Sequence, residues 1–110
     1  MLNRVEILGT AYEISELTPQ MPSFEIADGL CERFSKRIYI KKQFKKEQEE
    51  IESLYDEYYK KTLRHEIIHA FLYESGLAEN SEWGMDETLI DWIAIQFPKL
   101  TQAFRKVDAI

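Results

Sequence analysis

The chain has 110 residues, 45% hydrophobic and 31% charged, with a formal net charge of −6. That length suits one domain with a modest core, and the acidic balance argues against nucleic acid as main partner, because phosphates call for a basic surface. The single cysteine excludes an internal disulfide and fits a reducing cytoplasm. No apolar run of about 18 residues is present to span a membrane, and Met1-Leu2-Asn3-Arg4 lacks the basic-then-apolar layout of a signal peptide.

The first third of the sequence predicts strands. Val5 and Ile7 alternate with Arg4 and Glu6, Gly9 allows a bend, and a second extended run passes through Tyr12 and Ile14. Thr18 to Ser23 reads as a loop, since Pro19 and Pro22 forbid regular pairing. Asp28-Gly29 marks a turn, after which Leu30 to Phe34 and Arg37 to Lys41 are expected to pair as a hairpin around Ser35-Lys36. Ile38 and Ile40 would face the core and Tyr39 the other side. A basic cluster (Lys36, Arg37, Lys41, Lys42, Lys45, Lys46) precedes an acidic one (Glu47, Glu49, Glu50, Glu52), which reads as a solvated strand end and helix start.

From about Lys46 the period becomes helical. Ile51, Leu54, Tyr55, Tyr58, Thr62 and Leu63 recur at three- and four-residue steps, and the run continues to Tyr73, with Gly76 as its stop. A loop around Asn80 to Gly84 leads to a second helix capped by Asp86, which Pro98 ends or kinks before a last helical stretch from Lys99. Leu63, Ile67, Ile68, Ala70, Phe71, Leu72, Trp92, Ile93 and Phe97 are the expected helical core, and Trp83 is expected to pack over it. The fold expected is α+β: a small antiparallel sheet followed by two or three helices, residues 1–110 forming one domain.

Residues 65 to 69 read His65-Glu66-Ile67-Ile68-His69, and these are the only two histidines. One helical turn sets both imidazoles on one face, where they can grip one metal ion, and Glu66 is long enough to reach a water there. A catalytic zinc takes three protein ligands, so a third donor is needed, and a third histidine is excluded within one chain. Glu87 is the leading candidate, 18 residues after His69 at the start of the next helix. Asp91 follows one turn later on the same face, placed to accept a hydrogen bond from a ligating imidazole and fix its tautomer. An acid among Ile90, Trp92 and Ile93 is costly without such a partner. A second candidate ligand is Cys31, on a predicted strand.

A histidine-glutamate-x-x-histidine helix, followed by a helix with a glutamate and an aspartate four further on, resembles the gluzincin metallopeptidases. The small sheet, active-site helix and glutamate helix also resemble the compact zincins of phages and mobile elements, including the ImmA/IrrE-type peptidases that cleave repressors. In that group the glutamate helix runs through an alanine towards a proline, as Ala94 and Pro98 do here. The resemblance spans roughly residues 28 to 98. It implies a minimal zincin fold, Zn2+ as cofactor, His65, His69 and Glu87 as its ligands, Glu66 as general base and Asp91 as the acid behind a ligand. The chain departs in carrying Ile68 where ImmA-type motifs have glycine, and in lacking the additional lobe of large gluzincins. Peptide deformylases share the histidine motif with an upstream cysteine, but their glutamine-bearing glycine-rich segment has no counterpart here.

Three functional classes follow. The leading one is a cytoplasmic zinc metallopeptidase acting on a protein or peptide, with a tyrosine (Tyr55, Tyr58, Tyr59 or Tyr73) as oxyanion donor and one of the strands Leu30–Phe34 or Arg37–Lys41 receiving substrate. The second is a zinc-binding regulatory module without turnover, against which Glu66 speaks. The third is a deformylase-like amide hydrolase using Cys31.

Overall fold

A computed structural model describes residues 3–42 and 52–110, with side chains in the first helix from residue 56. The predicted helix start near Lys46 and Ile51 lie outside the described residues, and Leu54 and Tyr55 are described in backbone only. The order is β1 (Arg4–Ile7), β2 (Thr10–Leu17), a 3-10 turn (Pro22–Glu25), β3 (Gly29–Glu32), β4 (Arg37–Lys41), α1 (Glu52–Glu74), α2 (Leu77–Asn80) and α3 (Glu87–Lys106). No helix among the described residues is long and apolar enough to cross a membrane.

The first hairpin turns on Leu8 and Gly9, whose φ values of 49° and 87° give the doubly left-handed two-residue loop that matches strand twist. It sets Val5 opposite Tyr12 and Ile7 opposite Thr10. The second hairpin forms as expected, but β3 spans Gly29–Glu32 rather than Leu30–Phe34 and the chain turns over Arg33 to Lys36 rather than at Ser35-Lys36, so Leu30 pairs with Tyr39 and Cys31 with Ile38. The sheet is mixed, which corrects the expectation of an antiparallel one. Its strand order is β1-β2-β4-β3, with β2 and β4 parallel through pairs such as Ile14 with Ile38. The connection through the 3-10 turn and β3 brings the chain back beside β2 in the same direction, and no local periodicity reports such a pairing.

Alternation buries one face of this sheet against α1. Ile7, Tyr12, Ile38 and Ile40 meet Ala70, with Val5, Ile14, Cys31, Tyr59, Leu63 and Ile67 packed around them. A second cluster of Leu72, Ala78 and Ile90, with Ile68 and Tyr73, joins α1 to α2 and α3. Three expected core residues are outside: Phe71, Trp92 and Phe97 are 43%, 54% and 51% exposed. Trp92 and Phe97 lie off the narrow stripe of α3, centred on the buried Ile90 and Ala94, that faces the core, whereas Phe71 lies on α1 beside the buried Ala70. Trp83 is 45% exposed in its loop and does not cover the core.

α1 ends where Gly76 takes a φ of 84°. The segment read as loop from Asn80 is preceded by the one-turn helix α2. Asp86 caps α3, its Oδ1 accepting from the Leu89 N–H at 3.1 Å. Pro98 neither ends nor divides this helix. A proline lacks the N–H that would bond the carbonyl four residues back. That carbonyl, Ala94 O, instead accepts from Arg64 Nε on α1 at 2.7 Å. The freed backbone acceptor thus becomes a clamp between the two helices that carry the histidines and the acids. Three members of the basic cluster are held within the chain: Lys36 by Glu74, Arg37 by Glu13, and Lys41 by the Phe24 carbonyl.

Candidate metal centre

α1 and α3 run antiparallel, and their facing sides interleave. On α1, His65 and His69 are one turn apart; on α3, so are Glu87 and Asp91. Glu87 reaches both rings, with Oε2 2.9 Å from His65 Nε2 and Oε1 2.8 Å from His69 Nε2. Asp91 Oδ1 lies 3.1 Å from His65 Nδ1 and accepts from Lys61 Nζ at 3.1 Å. The ring centroids of the two histidines are 5.0 Å apart, and Tyr73 stacks beside His69 at 6.0 Å. All five residues singled out from the sequence (His65, Glu66, His69, Glu87 and Asp91) therefore come together. Lys61 joins them without having been expected, although its spacing of four from His65 was there to read.

Glu66 occupies a different niche. It is 7% exposed and packs beneath β3, where a Cβ placed on Gly29 would lie 2.9 Å from both Glu66 Oε2 and Thr62 Cγ2. Only glycine lets the strand approach the helix this closely without displacement. Burial pushes the Glu66 carboxyl up to about 7, His65 opposing and Glu87 reinforcing the shift. His69, also buried, has its pKa lowered by desolvation. For Asp91, burial acts to raise the pKa, but hydrogen bonds from Lys61 and His65 prevail and hold it below the usual carboxylate range.

The donor set suits a cation. His65, Glu66 and His69 each offer a ligand atom within 4.8 Å of the others. Glu87 lies outside that grouping and is 66% exposed, yet it makes the direct contacts to both Nε2 atoms. Those contacts mark where the two ring nitrogens converge. A neutral imidazole carries one N–H, so His65 can donate to Glu87 or to Asp91 but not to both. Satisfying both requires a further positive charge, either a second proton or a cation between the rings and Glu87. His69 Nδ1 is buried with no hydrogen-bond partner among the described residues. A buried orphan of that kind costs about 1–3 kcal/mol.

An open cleft of about 210 Å³ runs beside this cluster, between α1, α3 and the segment leading into β3. Tyr58 forms part of its wall and donates to Asp28 Oδ2, and burial together with that bond pushes the phenol up to about 12. Of the other tyrosines considered, Tyr59 packs into the core, Tyr73 stacks on His69, and Tyr55 lies outside the described side chains. Cys31 is packed into the core cluster, and burial, then Glu66, pushes its thiol up to about 12, so it is not a thiolate at neutral pH. β4 is paired on both sides, which removes Arg37–Lys41 as a docking strand; β3 is an edge of the sheet.

No known protein family, curated protein or solved structure matches this chain.

Proposed function

We propose that the protein is a zinc-dependent hydrolase, most specifically a metallopeptidase, with His65, His69 and Glu87 holding the metal. The observation that carries this reading is the convergence of both histidine Nε2 atoms on one carboxylate, with Asp91 behind His65 and a buried Glu66 alongside. Zinc, when bound, supplies Lewis acidity and lowers the pKa of a water to about 7.

The chain's own residues supply the rest. Asp91 accepts the His65 Nδ1–H, keeping Nε2 as the ligating atom. Glu66 is the proton carrier: it takes a proton from the attacking water and returns it to the leaving amine. Tyr58, in the cleft wall, is the best-placed tyrosine to donate to a developing oxyanion once its bond to Asp28 is exchanged. An extended peptide would add to the edge that β3 presents among the described residues, where Gly29 lies against Glu66. The packing of Cys31 into the core speaks against the deformylase-like alternative.

The test is hydrolysis of an unfolded protein substrate by zinc-loaded, untagged protein. Wild type should cleave, and Glu66→Gln should retain metal but lose about 10²–10⁴-fold in rate. Equal cleavage by Glu66→Gln would remove Glu66 as the base, and zinc-loaded wild type inert towards a broad peptide library would remove the peptidase reading.

A further inference from the structure

The contacts between α1 and α3 form a ladder whose far rung is Lys61. Lys61, His65 and His69 stand at four-residue steps on α1, and Asp91 and Glu87 alternate with them from α3. Reading along it, Lys61 donates to Asp91 Oδ1 at 3.1 Å and the same oxygen faces His65 Nδ1 at 3.1 Å. His65 Nε2 then meets Glu87 Oε2 at 2.9 Å, and Glu87 Oε1 meets His69 Nε2 at 2.8 Å. Basic and acidic groups alternate throughout, so each acid is held from two sides. The Lys61 side chain is 26% exposed, and its ammonium lies 5.2 Å from the centroid of the Tyr58 ring, within reach of a cation–π contact.

Resting on the zinc reading above, we propose that Lys61 is a positioning residue of the metal site, holding Asp91 so that its Oδ1 receives the His65 Nδ1–H and Nε2 is left to the metal. Asp91 is 39% exposed, so without Lys61 its carboxylate can rotate towards water and away from His65. An ion pair that served only the surface would leave the metal site indifferent to its loss. Outer partners of a ligating histidine, by contrast, typically change metal affinity 10- to 100-fold. Lys61 acts one step further out, through Asp91, which sets the expectation near the lower end of that range.

The experiment is zinc affinity by competition with a chromophoric chelator, together with the visible absorption of the cobalt(II)-substituted protein, for untagged wild type, Lys61→Met and Lys61→Arg. Lys61→Met should bind zinc about 10-fold more weakly, with an altered cobalt spectrum. Lys61→Arg, which can still donate to Asp91, should restore both. Circular dichroism of the metal-free proteins checks folding, and Lys61→Gln takes the place of Lys61→Met if the latter does not fold. Wild-type affinity and spectrum in a folded Lys61→Met protein would overturn the role of Lys61 while leaving the zinc site standing. Absence of metal binding in wild type itself would overturn the zinc reading and this inference with it.

Discussion

Two polar clusters are built on α1, and they are wired in opposite ways. At its C-terminal end, Glu74 Oε2 accepts from the Tyr12 hydroxyl at 2.6 Å and from Lys36 Nζ at 2.7 Å, and the ammonium also lies 5.8 Å from the centroid of the Tyr12 ring. Donors and acceptors match there. The bonds from Lys36 and Tyr12 hold the Glu74 carboxyl below its ordinary value. One to three turns earlier, the His65 imidazole faces two carboxylates, a histidine nitrogen is buried without a partner among the described residues, and a third carboxyl is pushed up to about 7. The first cluster is satisfied by the chain's own groups. The second leaves donors and acceptors unmatched in the metal-free protein, and the proposed cation between the rings and Glu87 would answer the His65 part of that mismatch.

That contrast predicts opposite pH responses. The folded-state pKa of Glu66 is raised, so in metal-free protein its favourable contribution is complete below the ordinary 4.5 and is lost as pH rises through about 7. The shift corresponds to roughly 3 kcal/mol. Urea denaturation of metal-free Glu66→Gln should show that loss between pH 4.5 and 7 abolished; an unchanged slope would mean that Glu66 ionises freely in the folded state.

A smaller effect is expected from filling the space above Glu66. Gly29→Ala puts a methyl group against Glu66 and the buried Thr62, and should destabilise by about 1–3 kcal/mol in the same denaturation assay. A neutral outcome would show that β3 can lift from the helix without cost. The smallest effect belongs to Glu74. Its folded-state pKa is lowered, so its contribution is present above the ordinary 4.5 and is lost as pH falls through the lowered value. Glu74→Gln should therefore flatten the acid limb of the stability profile and leave stability above pH 6 without a new slope. An undiminished acid limb would assign that limb to other carboxylates.

Local pattern accounts for most of what could be read in advance. Alternation placed Ile38 and Ile40 inside, spacing put the histidines on one helical face, and Asp86 marked the start of α3. The return of α3, which delivers Glu87 and Asp91 to the histidines, runs through the intervening helix α2 and was legible only as a helix-loop-helix expectation. What stayed hidden is non-local. The parallel pairing of β2 with β4 joins segments with no shared periodicity. The continuity of α3 through Pro98 depends on Arg64 from another helix. Trp92 and Phe97 are apolar yet lie away from any packing layer, which hydrophobicity alone does not distinguish from core. Lys61 is intermediate: its spacing from His65 was legible, but its partner sits thirty residues away, on a different helix.

The central claim is that the mismatched cluster is a metal site. The most direct measurement is the zinc content, by elemental analysis, of protein purified without a histidine tag, wild type beside Glu87→Ala. The account predicts about one zinc per wild-type chain, largely lost in the variant, since removal of a ligand should exceed the 10- to 100-fold loss typical of outer partners. A wild-type chain that takes up no zinc even after reconstitution would contradict it.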